Sequence, residues 1–104
     1  MMQEQRLLSL LGLARKANLA SFGHDAAKAA LRGEQAKLCL ICTDASPRLK
    51  EEFQFLAQDT GTNLYEVNLT SSDIKAATQY KAAVLTINNS GFADKIKATL
   101  TPDS

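Results

Sequence analysis

Cys39 and Cys42 stand at a Cys-x-x-Cys spacing, which elsewhere serves disulfide exchange or zinc ligation. A redox pair needs its first thiol at a helix N-terminus, where the dipole lowers the thiol pKa. Here both lie within Leu38-Cys39-Leu40-Ile41-Cys42, a continuous apolar run that reads as a strand buried on both faces. Residues three apart on a strand point to opposite sides, so the two sulfurs do not meet. A structural zinc takes about four ligands, and His24 is the chain's one histidine. Both cysteines are expected to act as small buried hydrophobes, with no metal site.

His24 could be grouped with Ser21 and Asp25, yet nothing near them resembles a nucleophile elbow or an oxyanion hole. Glu51-Glu52 reads as part of the solvated face of a helix. The chain has no Gly-x-Gly-x-x-Gly and no Walker loop, so a phosphate-bearing cofactor has no support. No enzymatic activity and no cofactor are expected. Phe22-Gly23-His24-Asp25-Ala26-Ala27-Lys28 offers different chemistry. A strand ends, glycine permits close backbone approach, and a helix opens with N–H groups free to meet an anion. Asp25 and Lys28 are three apart and Arg32 follows one turn on, so an acceptor and two cations share a helical face. A carboxylate can accept from base amino or imino edges while the cations neutralise phosphates. The same residues also fit an ordinary helix start with Asp25 paired to Lys28.

The elements that must position these groups alternate. A helix over about 3–17 buries Leu7, Leu10, Leu11, Ala14 and Ala17, with Gln5, Ser9, Gly12 and Lys16 opposite. A short extended stretch, 19–22, precedes a second helix over about 24–32, stopped by Gly33. After the strand at 38–42, Ser46 caps a third helix with Pro47 in its first position. Leu49, Phe53, Leu56 and Phe55 supply its buried face, and Gly61 ends it. A strand follows at 64–69. A short helix is opened by Ser71 and Ser72 with Asp73 behind them. A strand at 82–87 and a last helix with Phe92, Ile96 and Leu100 complete the chain. Alternation of this kind predicts an α/β sandwich, with helices on both faces of a small sheet.

The chain has 104 residues, 45% of them hydrophobic and 22% charged. That size suits one domain with its own core, expected over residues 1–100, with a polar, frayed tail at 101–104. No apolar run approaches the ~20 residues of a membrane span. The N-terminal stretch carries Glu4 and Arg6 and lacks the apolar block of a signal peptide, so a cytoplasmic protein is expected. The net charge of +1 argues against a binder that relies on bulk positive charge. It conceals an asymmetry. Residues 1–50 hold eight Lys and Arg against four Asp and Glu, while residues 51–104 hold four against seven.

The sequence resembles the kink-turn-binding ribosomal-protein family, in its small bacterial YlxQ-like branch. The resemblance spans about residues 5–100. It rests on Leu-Leu-Gly-Leu-Ala-Arg-Lys-Ala (10–17), Ala29-Ala30-Leu31-Arg32 leading to Ala36-Lys37-Leu38, Thr43-Asp44-Ala45-Ser46, and Ile87 through Gly91-Phe92-Ala93. It implies a three-layer α/β/α sandwich around a four-stranded mixed sheet, binding RNA bends made by bulges and sheared G·A pairs. The family's second helix opens Gly/Thr-Asn-Glu-x-x-Lys. Gly23-His24-Asp25-Ala26-Ala27-Lys28 matches it with His24 at the Asn and Asp25 at the Glu position. An ungapped register through the next strand instead puts Ala29 at the Lys position. The family's Glu-Leu-Gly-x-Ala-Ile-Gly corresponds to Asp73-Ile74-Lys75-Ala76-Ala77-Thr78-Gln79, without either glycine. Tyr80-Lys81-Ala82 is then the loop that packs on the bulged nucleotide, where Tyr80 could stack on a base or cover the sheet edge.

The resemblance thus implies a monomeric, non-enzymatic protein that binds structured RNA, with ribosomal RNA and the ribosome as partners and no membrane role. Gly23 and the first turn of the second helix would meet the bulge. His24 and Asp25 would read base edges, and Lys28 and Arg32, with Arg15 and Lys16, would neutralise phosphates. The altered segment 73–82 leaves open an alternative: a protein–protein module of ribosome assembly or transcription.

Overall fold

In the computed structural model, which describes residues 2–100, the buried positions of β2 (Leu38–Cys42) explain how the layers form. Leu38, Leu40 and Cys42 belong to one apolar cluster, and Cys39 and Ile41 to another. The strand therefore feeds two cores with alternate side chains, as its unbroken apolar run requires. The first core is closed by Leu7, Leu11 and Ala14 of α1 (Met2–Lys16), Ile74 of α4 (Ser71–Thr78), and Ala93 and Ile96 of α5 (Ser90–Leu100). The second is closed by Ala27 and Leu31 of α2 (His24–Arg32) with Phe53 and Leu56 of α3 (Pro47–Thr60).

The sheet between them has the order β1-β4-β2-β3, with β1 at Ala20–Phe22, β3 at Leu64–Val67 and β4 at Val84–Ile87. β4 runs antiparallel to both β1 and β2, while β2 and β3 are parallel. This is the mixed four-stranded α/β/α sandwich that the sequence implied. Phe22 pairs with Leu85 at the end of β1, so the chain leaves an edge strand just before α2.

Local signals set most boundaries. Ser46 accepts the Leu49 N–H at 3.1 Å with Pro47 behind it. α4 opens at Ser71, where the serines put it, and the residue before it supplies the cap: Thr70 and Asp73 form a reciprocal capping box. The strands are shorter than their apolar runs: β3 ends at Val67 and β4 begins at Val84, although Leu69 and Ala82 remain buried. Ala17 lies past the last turn of α1 and is exposed. Phe55 is 67% exposed, since two residues of helix turn it about 200° away from buried Phe53. Gly12 does not face solvent as its place on the helix wheel suggested. A Cβ there would stand 3.1 Å from the Ala77 carbonyl, so glycine lets α1 and α4 approach. The polar tail at 101–104 lies outside the described residues.

Candidate functional site

Gly23 sets the direction of α2. Its φ of 97° and ψ of 169° fall in a region that only glycine occupies at low cost. Its N–H donates to the Val84 carbonyl at 2.9 Å, and its own carbonyl accepts the Ala27 N–H at 2.9 Å. No side chain caps the helix, so the first-turn N–H groups are left without a capping partner.

Two groups of side chains flank this turn. On one flank His24 Nε2 lies 2.9 and 3.0 Å from the carboxylate oxygens of Glu52 on α3, and Nδ1 lies 2.8 Å from Asp25 Oδ1. The ring also packs edge-on against Phe53, with centroids 5.6 Å apart. Lys28 Nζ stands 3.7 Å from Glu52 Oε2. The hydrogen bonds to Asp25 and Glu52 raise the His24 pKa above its ordinary value, and the bond from His24 lowers that of Glu52. With a carboxylate at each ring nitrogen, the doubly protonated imidazolium is the favoured form.

On the other flank Phe22 and Tyr80 stack at 5.4 Å with their planes 11° apart, and the Arg15 guanidinium carbon stands 5.4 Å from the Tyr80 ring centre. Arg15, Asn18, Ser21, Phe22, Ala26 and Tyr80 line an open groove of about 340 Å³, the small end of the usual ligand-pocket range. Lys16 is exposed beside the end of α4 near Gln79. Thr78 is buried; its hydroxyl donates to the Ile74 carbonyl at 2.7 Å and accepts the Tyr80 N–H at 3.2 Å. Gln79 between them has a φ of 72°. Together these contacts turn the chain so that Tyr80 folds back over the β1 edge while staying 51% exposed.

The predicted residues thus divide. Gly23, His24, Asp25 and Lys28 share the α2 start, Arg15 and Tyr80 border the adjoining groove, and Lys16 lies outside it, beside the end of α4. Asp25 is fully exposed and bonds His24; the pairing of Asp25 with Lys28 does not form, because Lys28 turns to Glu52. Arg32 stands eight residues along α2, about 12 Å from its start. Lys81 is exposed, whereas Ala82 is 5% exposed and packs in the first core. Glu52 is no member of a solvated face: it bridges α3 to α2. No sequence signal marks it, since 28 residues separate it from His24. Ala26 and Phe22 were also missed; their neighbours Gly23 and Tyr80 were the available pointers. Cys39 and Cys42 are buried on opposite faces, and burial pushes both thiols up to about 12. Among the described residues no cluster of His, Cys, Asp or Glu could hold a metal, and no helix is long and apolar enough to cross a membrane.

A four-stranded mixed sheet of order β1-β4-β2-β3 with helices on both faces defines a class of fold, and solved structures share that fold. A protein with unknown function from Bacillus halodurans C matches with a TM-score of 0.84, covering 91% of this chain and 96% of its own at 23% identity. The Giardia lamblia 15.5kD RNA binding protein matches with a TM-score of 0.79, covering 98% of this chain and 88% of its own at 15% identity. Identities this low speak for the fold alone. No curated protein is a significant sequence match. The family itself follows from a sequence profile that matches residues 5–96: the chain belongs to the Ribosomal protein L7Ae/L30e/S12e/Gadd45 family.

Proposed function

We propose that this protein is a non-enzymatic RNA-binding protein that recognises a kink-turn-like bend in structured RNA, with ribosomal RNA as its target class. The observation that carries this reading is the joining of an uncapped α2 N-terminus to a half-exposed Tyr80 with Arg15 beside it. Helix N–H groups and Lys28 would meet phosphate oxygens. Asp25, fully exposed in the first turn of α2, accepts from base edges. Tyr80 and Arg15 offer a flat surface to an unstacked base. Family membership and the RNA-binding name of one structural relative support the reading. In it the protein works as a cytoplasmic monomer without a cofactor, on the ribosome or in its assembly.

Calorimetric titration of a kink-turn RNA against a control lacking the sheared G·A pairs tests it. Tighter binding to the kinked form is expected; equal binding to both, or to neither, rejects it. Phe55, 67% exposed on α3, favours the second reading, a protein–protein module in which a partner covers that ring.

A further inference from the structure

We propose that Glu52 Oε2 occupies a phosphate site in the free protein, built by His24 and Lys28 across the groove between α2 and α3, and that an RNA phosphodiester displaces it. The inference deepens the RNA-binding reading and rests on it for the source of the phosphate. His24 Nε2 and Lys28 Nζ converge on one carboxylate oxygen, at 2.9 and 3.7 Å. A phosphate presents the same negative oxygens to the same two donors, and bonds of this charge-assisted kind are interchangeable between the two anions. Asp25 and the edge contact with Phe53 fix the imidazole, so its Nε2–H stays aimed at that point. With both nitrogens committed to anions, His24 is a phosphate donor and not the reader of a base edge.

The site is open to exchange. The side chains of His24, Lys28 and Glu52 are 43%, 33% and 34% exposed, and ion pairs at that exposure are weak enough for an external anion to replace one partner. The groove also prepares a place for the displaced carboxylate. Arg48 lines it four residues before Glu52 on α3, the spacing of a helical ion pair. Arg32 lines it too, and neither arginine has an ion pair among the described residues. The Glu52 side chain can therefore turn to Arg48 as phosphate enters.

The test uses the full chain as wild type, Glu52→Gln, and Glu52→Gln combined with Lys28→Gln. Inorganic phosphate is titrated while the His24 ring signals are followed by NMR. Glu52→Gln is expected to tighten phosphate binding by about two- to five-fold, the competition exerted by one exposed ion pair, and the added Lys28→Gln to reverse that gain. A kink-turn RNA is then titrated over a salt series. Glu52→Gln should bind more tightly, with much the same salt slope, since the same phosphate is neutralised in both proteins. Unchanged or weaker phosphate binding by Glu52→Gln overturns the site, as does a double variant that keeps the gain. If wild type prefers kinked RNA but Glu52→Gln leaves its affinity unchanged, the displacement falls while the RNA reading stands. If phosphate binds as expected and no RNA does, the RNA reading falls and the site takes free phosphate.

Discussion

Replacing Gly23 with alanine separates the backbone contribution to the candidate site from every other. A Cβ at position 23 would meet nothing within 4 Å, so neither overpacking nor lost volume enters the effect. The backbone, however, is held at both ends: N–H to Val84 and carbonyl from Ala27, each at 2.9 Å. Alanine must either keep φ at 97°, at a strain of about 1–3 kcal/mol, or relax and lose a hydrogen bond worth about 1 kcal/mol. Both branches predict a loss of about 1–3 kcal/mol, or a drop in Tm of roughly 4–8 °C for each kcal/mol in a domain of this size. Urea unfolding with an unchanged slope measures it. A D-alanine placed by semisynthesis adopts the same φ without strain and should match the wild type. The relaxed branch also turns α2, so RNA binding should weaken beyond what the unfolded fraction explains. A loss below about 0.5 kcal/mol, or equal losses for the L and D residues, would refute the reasoning, since the handedness of φ is what it rests on.

Because His24 is raised above its ordinary 6.5, its stabilisation is complete below that value and is lost as pH rises through the folded pKa. Glu52, lowered from 4.5, adds stability above that value and loses it as pH falls through its folded pKa. The stability gap between wild type and His24→Gln, followed by urea unfolding, should therefore be widest between the two and close toward alkaline pH. Gln79→Gly should stabilise by about 1 kcal/mol in the same assay, because a φ of 72° costs an L residue about that much. Lys28→Ala should flatten the salt dependence of RNA binding by about one contact. Asp25→Ala should instead remove about 1–3 kcal/mol of preference for kinked RNA over a straight duplex, read by competition titration.

The fold was legible where one signal decided one element. The run 38–42, the Ser46-Pro47 start and Gly33 placed β2, the opening of α3 and the end of α2, because burial on both faces, capping and the loss of helical periodicity are local matters. Phe55 misled because apolarity alone does not say which side of a helix faces the core; two residues separate it from Phe53. The site was half legible for the same reason. The α2 start is contiguous in sequence, and Gly23 announced it. Glu52 reaches His24 only because α3 packs against α2, and that adjacency depends on the whole topology. The charge asymmetry between the halves of the chain was sound as arithmetic. Folding then places an acidic residue of the second half among the cations of the first.

The alternation along β2 gives the protein a use for its cysteines that their burial conceals. Cys39 belongs to the layer under α2 and α3, and Cys42 to the layer under α1, α4 and α5. Each thiol, silent while buried and protonated, becomes reactive only when its own layer opens. The pair is a two-channel clock for native-state breathing, in which the alkylation rate at Cys39 times the opening of the α2–α3 half. Equal rates at both sulfurs would mean that the layers part as one cooperative unit; a faster Cys39 would mean that the α2–α3 layer lifts off while the rest of the sandwich stays closed.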